Sequence, residues 1–156
     1  MPPKKDDSSE YERRTAISCF NKAWDFLDSR KRSSKDDLQM LLEVHTSRYH
    51  WGRVGKPYNL AIGDWQVSRV YAALKQPVLA LLFARSSLDT CRRHGLNDLL
   101  PSAYEGMSRA YAVAKNMKQA RWYLELARKR LELVEDDEDR KIYAQQMDET
   151  EAIIRK

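Results

Sequence analysis

Glycine and proline are scarce in this sequence, five of each in 156 residues, too few for the turns of a β-sandwich or barrel. Cysteine is scarcer still. Cys19 and Cys91 stand far apart, each among apolar residues at helical spacing, so buried, reduced thiols are expected rather than a disulfide or a nucleophile. No run of about 18 apolar residues occurs, which removes a membrane-spanning helix. The opening Met1-Pro2-Pro3-Lys4-Lys5-Asp6-Asp7 lacks the apolar stretch of a secretory signal. A cytoplasmic protein is the resulting expectation. There is no G-x-S-x-G elbow, no phosphate-cradling glycine loop and no H-E-x-x-H pair. Neither an enzyme nor a cofactor is expected.

Charge is plentiful, at 33% of residues, and is interspersed with apolar positions, as on the surface of packed helices. The net charge of +5 is unevenly spread. Residues 135–156 hold eight acidic and four basic side chains, so the other 134 residues carry 24 basic against 15 acidic. A basic body could attract nucleic acid or another anion. Yet no basic block exceeds the length of Arg30-Lys31-Arg32, and no aromatic-basic pattern of an RNA-reading sheet is present. Solvated helix faces are the better reading, and nucleic acid is not expected as a partner.

Residues 1–8 are polar, contain two prolines and are expected to form a disordered tail before one helical domain over 9–156. Ser9 with Glu12, and Ser34 with Asp37, have the spacing of a capping box. Each precedes apolar residues recurring with helical period: Phe20, Ala23, Trp24 and Leu27 after the first, Leu38, Leu41, Leu42 and His45 after the second. Gly52, Gly55 and Pro57 predict a long connection at 52–58. A third helix is expected over roughly 59–75. Pro77 opens a fourth, which closes at His94-Gly95. Asn97 or Asp98 is expected to cap a fifth, and Lys115-Asn116 turns into a sixth. Asp136 to Asp139 crowd the start of a seventh, where negative charge meets the positive end of the helix dipole. No segment alternates as a strand does.

Ser68-Arg69-Val70-Tyr71-Ala72-Ala73-Leu74-Lys75 returns as Ser108-Arg109-Ala110-Tyr111-Ala112-Val113-Ala114-Lys115, an offset of 40 with five of eight positions identical. At the same offset Ala80 matches Ala120 and Ser87 matches Ala127. A fixed period between helical hairpins indicates a stack in which each unit buries its neighbour's face.

These positions resemble the tetratricopeptide repeat: Tyr104, Ser108, Tyr111, Ala120 and Ala127 in one unit, and Ser68, Tyr71, Ala80 and Ser87 in the other. The likeness covers roughly 60–133. The period is longer than that family's 34 or so residues, Asn116 stands where glycine is usual, and the closing proline is missing. It implies an all-α fold: three stacked antiparallel hairpins (10–51, 59–95, 98–133) and a capping helix (137–155) in a short right-handed solenoid. His45-x-Ser47-x-Tyr49-His50-Trp51, with Gly63-x-Trp65 and Ser68-Arg69-Val70-Tyr71, also looks like a group of small bacterial helical proteins of no assigned activity, which implies a bacterial origin.

In such stacks the first helix of each hairpin lines the concave side. Steps of three and four place Ile62, Trp65, Arg69 and Ala72 on one face, and Ser102, Glu105, Arg109 and Ala112 on the equivalent face of the next unit. Arg69 and Arg109 then stand about 10 Å apart or less at usual helix packing distances. Two guanidinium groups beside an indole suit a carboxylate, a phosphate or an acidic peptide. The competing structural reading pairs Glu105 with Arg109, gives Arg69 to Asp64 or Asp98, and buries Trp65. The leading expectation is a protein- or peptide-binding module with Trp65, Arg69, Glu105 and Arg109 as its contact set. A pocket for a small anionic ligand would add His45, Tyr49 and His50, and Trp51 joins them at the hairpin mouth as an aromatic contact. Self-association into a homo-oligomer through an uncovered apolar edge is the third expectation. A metal site is not expected, since five residues set His45 and His50 about 140° apart on a helix.

Overall fold

A computed structural model describes residues 5–156. Within them the chain is all-α, with seven helices and no strand. They are α1 (Lys5–Asp28), α2 (Ser34–Val54), α3 (Pro57–Ala73), α4 (Pro77–Arg93), α5 (Leu100–Val113), α6 (Met117–Leu131) and α7 (Asp137–Arg155). Consecutive helices pack as pairs, α1 with α2, α3 with α4 and α5 with α6, and α7 lies against α5 and α6.

The offset of 40 is written into the bonding. Ser68 Oγ donates to the carbonyl of Ala80 at 2.7 Å, and Ser108 Oγ donates to that of Ala120 at 2.7 Å. Tyr71 stacks on Phe83 and Tyr111 on Tyr123, with centroids 5.9 and 5.6 Å apart. Each turn closes on a lysine of positive φ, 58° at Lys75 and 63° at Lys115, and the next residue's N–H returns to the tyrosine carbonyl in both. Buried serines tie the two helices of a pair together without leaving a polar group unsatisfied.

Alanine makes the close approaches. Ala61, Ala80, Ala84, Ala103, Ala110, Ala112, Ala120 and Ala127 are all buried in a core running from α3 to α7. A smaller core of Ala23, Met40, Val44, Val67 and Val70 joins α1 and α2 to α3. Residues without bulk beyond Cβ let helices meet along their length, and the larger methionines and tyrosines fill what remains.

Several boundaries differ from expectation. Residues 1–4 of the expected tail lie outside the described residues, and 5–8 are already helical. Ser9 and Glu12 therefore sit inside α1, where Glu12 accepts Arg53 Nε at 2.7 and 2.9 Å instead of capping. The second capping box forms one residue earlier: Ser33 Oγ accepts the Asp36 N–H at 3.1 Å, and Asp36 Oδ2 accepts the Ser33 N–H at 2.9 Å. Paired serines followed by paired aspartates satisfy the spacing in either register, and Asp37 is free to take Arg32. The connection expected at 52–58 is only Gly55 and Lys56, because Gly52 stays helical and Pro57 opens α3. At Gly55 a Cβ would lie 2.6 Å from the Trp51 carbonyl oxygen, so this tight junction excludes a side chain. A 3₁₀ turn, Asn97–Leu99, precedes α5 in place of the expected side-chain cap.

Candidate functional site

Helices α1, α3, α5 and α7 turn one face toward a common cleft of about 530 Å³. Phe20, Trp24 and Asp28 come from α1, Ile62, Trp65 and Arg69 from α3, Ser102 and Ala103 from α5, and Asp139, Tyr143 and Glu149 from α7. Of the outer helices, α2 and α6 take no part in its lining and α4 contributes Ser87 alone.

Beneath the cleft lies a buried polar cluster centred on Glu105, which is 1% exposed. Its Oε2 accepts Trp65 Nε1–H at 3.0 Å, and its Oε1 accepts Thr150 Oγ1 at 2.6 Å and Arg109 Nε at 2.9 Å. Arg69 Nη1 stands 3.6 Å from the same oxygen, while Arg69 Nη2 donates to Glu149. Arg109 Nη2 reaches the carbonyl of Gln146 at 3.4 Å and lies 3.7 Å from Glu149. The Arg69 guanidinium carbon lies 5.2 Å from the Trp24 ring centroid and 5.6 Å from that of Trp65, both within cation–π range.

Electrostatically the cluster balances: two guanidinium groups, two carboxylates. Burial opposes the Glu105 charge, but Arg109, Arg69 and the Thr150 hydroxyl outweigh it and hold the carboxyl below its usual pKa. Burial lowers the Arg69 pKa, as does Arg109, and Glu105 and Glu149 oppose both. At the mouth the balance shifts. Asp28 and Asp139 line the cleft and stand in no ion pair among the described residues. Burial first, and Asp139 next, push the Tyr143 phenol up to about 12 and raise that of Tyr58.

Of the residues singled out by sequence, Trp65, Arg69, Glu105 and Arg109 come together, as a salt-bridged floor. His45, Tyr49, His50 and Trp51 do not join them. They belong to α2, the outer helix of its pair. His45 Nε2 lies 2.8 Å from the Tyr71 hydroxyl and its ring packs edge-on against Phe83; burial lowers its pKa. Tyr49 is exposed beside His50, whose Nδ1 is 3.5 Å from Glu12. Trp51 is buried behind Phe20 and Ile62, with Arg13 over its ring. Among the described residues no group of three His, Cys, Asp or Glu side chains is disposed to hold a metal.

Trp24, Asp28, Asp139, Tyr143, Glu149 and Thr150 were not among the residues that sequence reasoning selected. One signal was available. Gly106 stands in mid-helix, where glycine is costly, next to Glu105. A Cβ there would lie 2.9 Å from Trp65 Cδ1, so this glycine makes room for the indole that bonds Glu105. Compared with family models, with curated proteins and with solved structures, the chain shows no significant match to any.

Proposed function

We propose that this protein is a peptide-binding module whose cleft between α1, α3, α5 and α7 receives a segment of another protein. The observation that carries the reading is the 530 Å³ cleft, aromatic in its walls and underlain by a buried cluster in which Glu105 accepts three hydrogen bonds. A floor of side chains locked by one another offers a preorganised surface, so binding does not have to order it. The pairing of the α3–α4 and α5–α6 turns at an offset of 40 supports taking the stack as a short tetratricopeptide-like solenoid with its inner helices toward the ligand. Both arginines already face Glu105 and Glu149, which weighs against the acidic peptide or small anionic ligand that Arg69 and Arg109 suggest on their own.

The test places a photo-crosslinking amino acid at Ile62, inside the cleft, and separately at the exposed Glu135. The expected result is a discrete adduct with another protein from position 62 and none from 135. Equal adducts from both positions, or none from 62, would overturn the reading.

One observation favours self-association as a second reading. Leu38, Leu42 and Tyr49 of α2 and Val78 and Leu82 of α4 are exposed, and none of them lines the cleft. Sedimentation velocity that shows no concentration dependence would dismiss it.

A further inference from the structure

The cleft has a sign. Its lining contains four charged side chains, Asp28, Arg69, Asp139 and Glu149. Arg69 donates from Nη2 to Glu149 and stands 3.6 Å from Glu105 through Nη1, which is buried and makes no hydrogen bond, and Arg109, the other nearby cation, is bonded to Glu105. With two positive charges set against Glu105 and Glu149, Asp28 and Asp139 remain as carboxylates in no ion pair among the described residues, Asp139 meeting only the amino end of α7. The net charge of the chain is +5, but the α7 wall of the cleft belongs to its acidic segment 135–156.

The walls fit the same class of occupant. Phe20, Trp24, Ile62 and Tyr143 provide apolar and aromatic surface between the two carboxylates. Lysine and arginine lay their methylene stems on such surface while the head group stays with a carboxylate or in water. The two aspartates mark opposite ends. Asp28 ends α1, one turn beyond the Trp24 that meets Arg69. Asp139 acts on Tyr58, at the start of α3. From Tyr58, beside Asp139, to Arg69, level with Trp24, α3 rises about 16 Å at 1.5 Å per residue. An extended peptide covers that distance in about five residues.

Resting on the reading of the cleft as a peptide site, we infer that its occupant is a basic segment in extended conformation. Two lysine or arginine side chains about five residues apart face Asp28 and Asp139, with an apolar residue between them on Trp24 and Ile62.

Fluorescence anisotropy on the full chain tests this with three fluorescein-labelled pools of short peptides. Each pool fixes two residues at that separation, as lysine, glutamine or glutamate, and randomises the rest. The lysine pool is expected to bind, with an affinity that falls as salt is added and at least about tenfold in an Asp28→Asn/Asp139→Asn variant. Both aspartates are exposed, and circular dichroism verifies that the variant folds. Absence of binding by the lysine pool, equal binding by the glutamine pool, preference for glutamate, or indifference to the double substitution would each overturn the inference. Failure of the inference is separable from failure of the cleft reading. A glutamine pool that binds as well as the lysine pool and is lost in an Ile62→Arg variant keeps the cleft and removes the charge preference. Cross-linking at position 62 judges the cleft with no assumption about charge.

Discussion

Replacing Glu105 with alanine removes the acceptor of three hydrogen bonds and the carboxylate beside a second guanidinium. Trp65 Nε1 and Thr150 Oγ1 lose hydrogen bonds, Arg109 loses its closest carboxylate, and Arg69 keeps only Glu149. Removing one partner of a buried ion pair costs about 3–5 kcal/mol, because the remaining charge stays buried without compensation. The stranded indole and hydroxyl act in the same direction, at about 1–3 kcal/mol for each unsatisfied group, while water entering from the cleft offsets part of that. A net loss of about 3–5 kcal/mol is expected for Glu105→Ala, a large fraction of the roughly 5–15 kcal/mol available to a domain. For a chain of this size the midpoint of thermal unfolding should fall by about 10–15 °C. Urea unfolding at neutral pH, followed by circular dichroism, measures the loss directly. Glu105→Gln adds a second reading of the same chemistry. The folded-state pKa of Glu105 is depressed, so its charge contributes stability above the unfolded value of about 4.3. That contribution disappears as the pH falls through the lower folded value. The wild-type chain should lose stability over that acidic window more steeply than the glutamine variant. A loss below about 1 kcal/mol in the alanine variant, or parallel pH curves for wild type and glutamine, would refute the account of Glu105 as a charged hub.

Gly106→Ala should destabilise by about 1–2 kcal/mol although it replaces glycine inside a helix. The propensity gain of about 1 kcal/mol is outweighed by overpacking, since the new methyl meets Trp65 Cδ1 at 2.9 Å and the indole is tied to Glu105; an increase in urea midpoint would contradict this. Cys19 and Cys91 should resist iodoacetamide in the native protein at neutral pH and react fully in denaturant. Both are buried with thiol pKa values pushed up to about 11, by burial first in each case and in Cys19 by Glu43 as well; rapid native labelling of Cys91, followed by mass spectrometry, would show otherwise.

The repeat was legible because the residues that recur are those that make the recurring bonds. Ser68 and Ser108 hold Ala80 and Ala120, Tyr71 and Tyr111 stack at the same place, and Lys75 and Lys115 close the same turn. Helical phase also placed Trp65, Arg69, Glu105 and Arg109 on one face, since that requires only counting along α3 and α5. Partner choice was less accessible. Asp64 is five residues from Arg69, about 140° around the helix, and it turns to Arg48 and Ser86 instead. Glu149, the partner Arg69 does find, lies 80 residues downstream in a helix full of carboxylates, where composition alone distinguishes none of them. The histidines stand apart from this cleft for a related reason. His45, Tyr49 and His50 share a short aromatic stretch with Trp51, and their neighbourhood in sequence says nothing of whether α2 is the inner or the outer helix of its pair.

In a linear array of repeats each unit interacts with its neighbours alone, so ends fray independently and units can be added or removed piecemeal. The bond from Glu149 to Arg69 departs from that rule, because it joins α7 to α3 past the intervening helices. Loosening α7 withdraws a counter-charge from a guanidinium buried two pairs earlier in the chain, and loosening α3 withdraws one from α7. Amide exchange in these two helices should therefore share one opening free energy, and unfolding should be a single transition rather than a progressive peeling. The final helix acts as a latch on the middle of the stack, which makes this short array a closed cooperative unit.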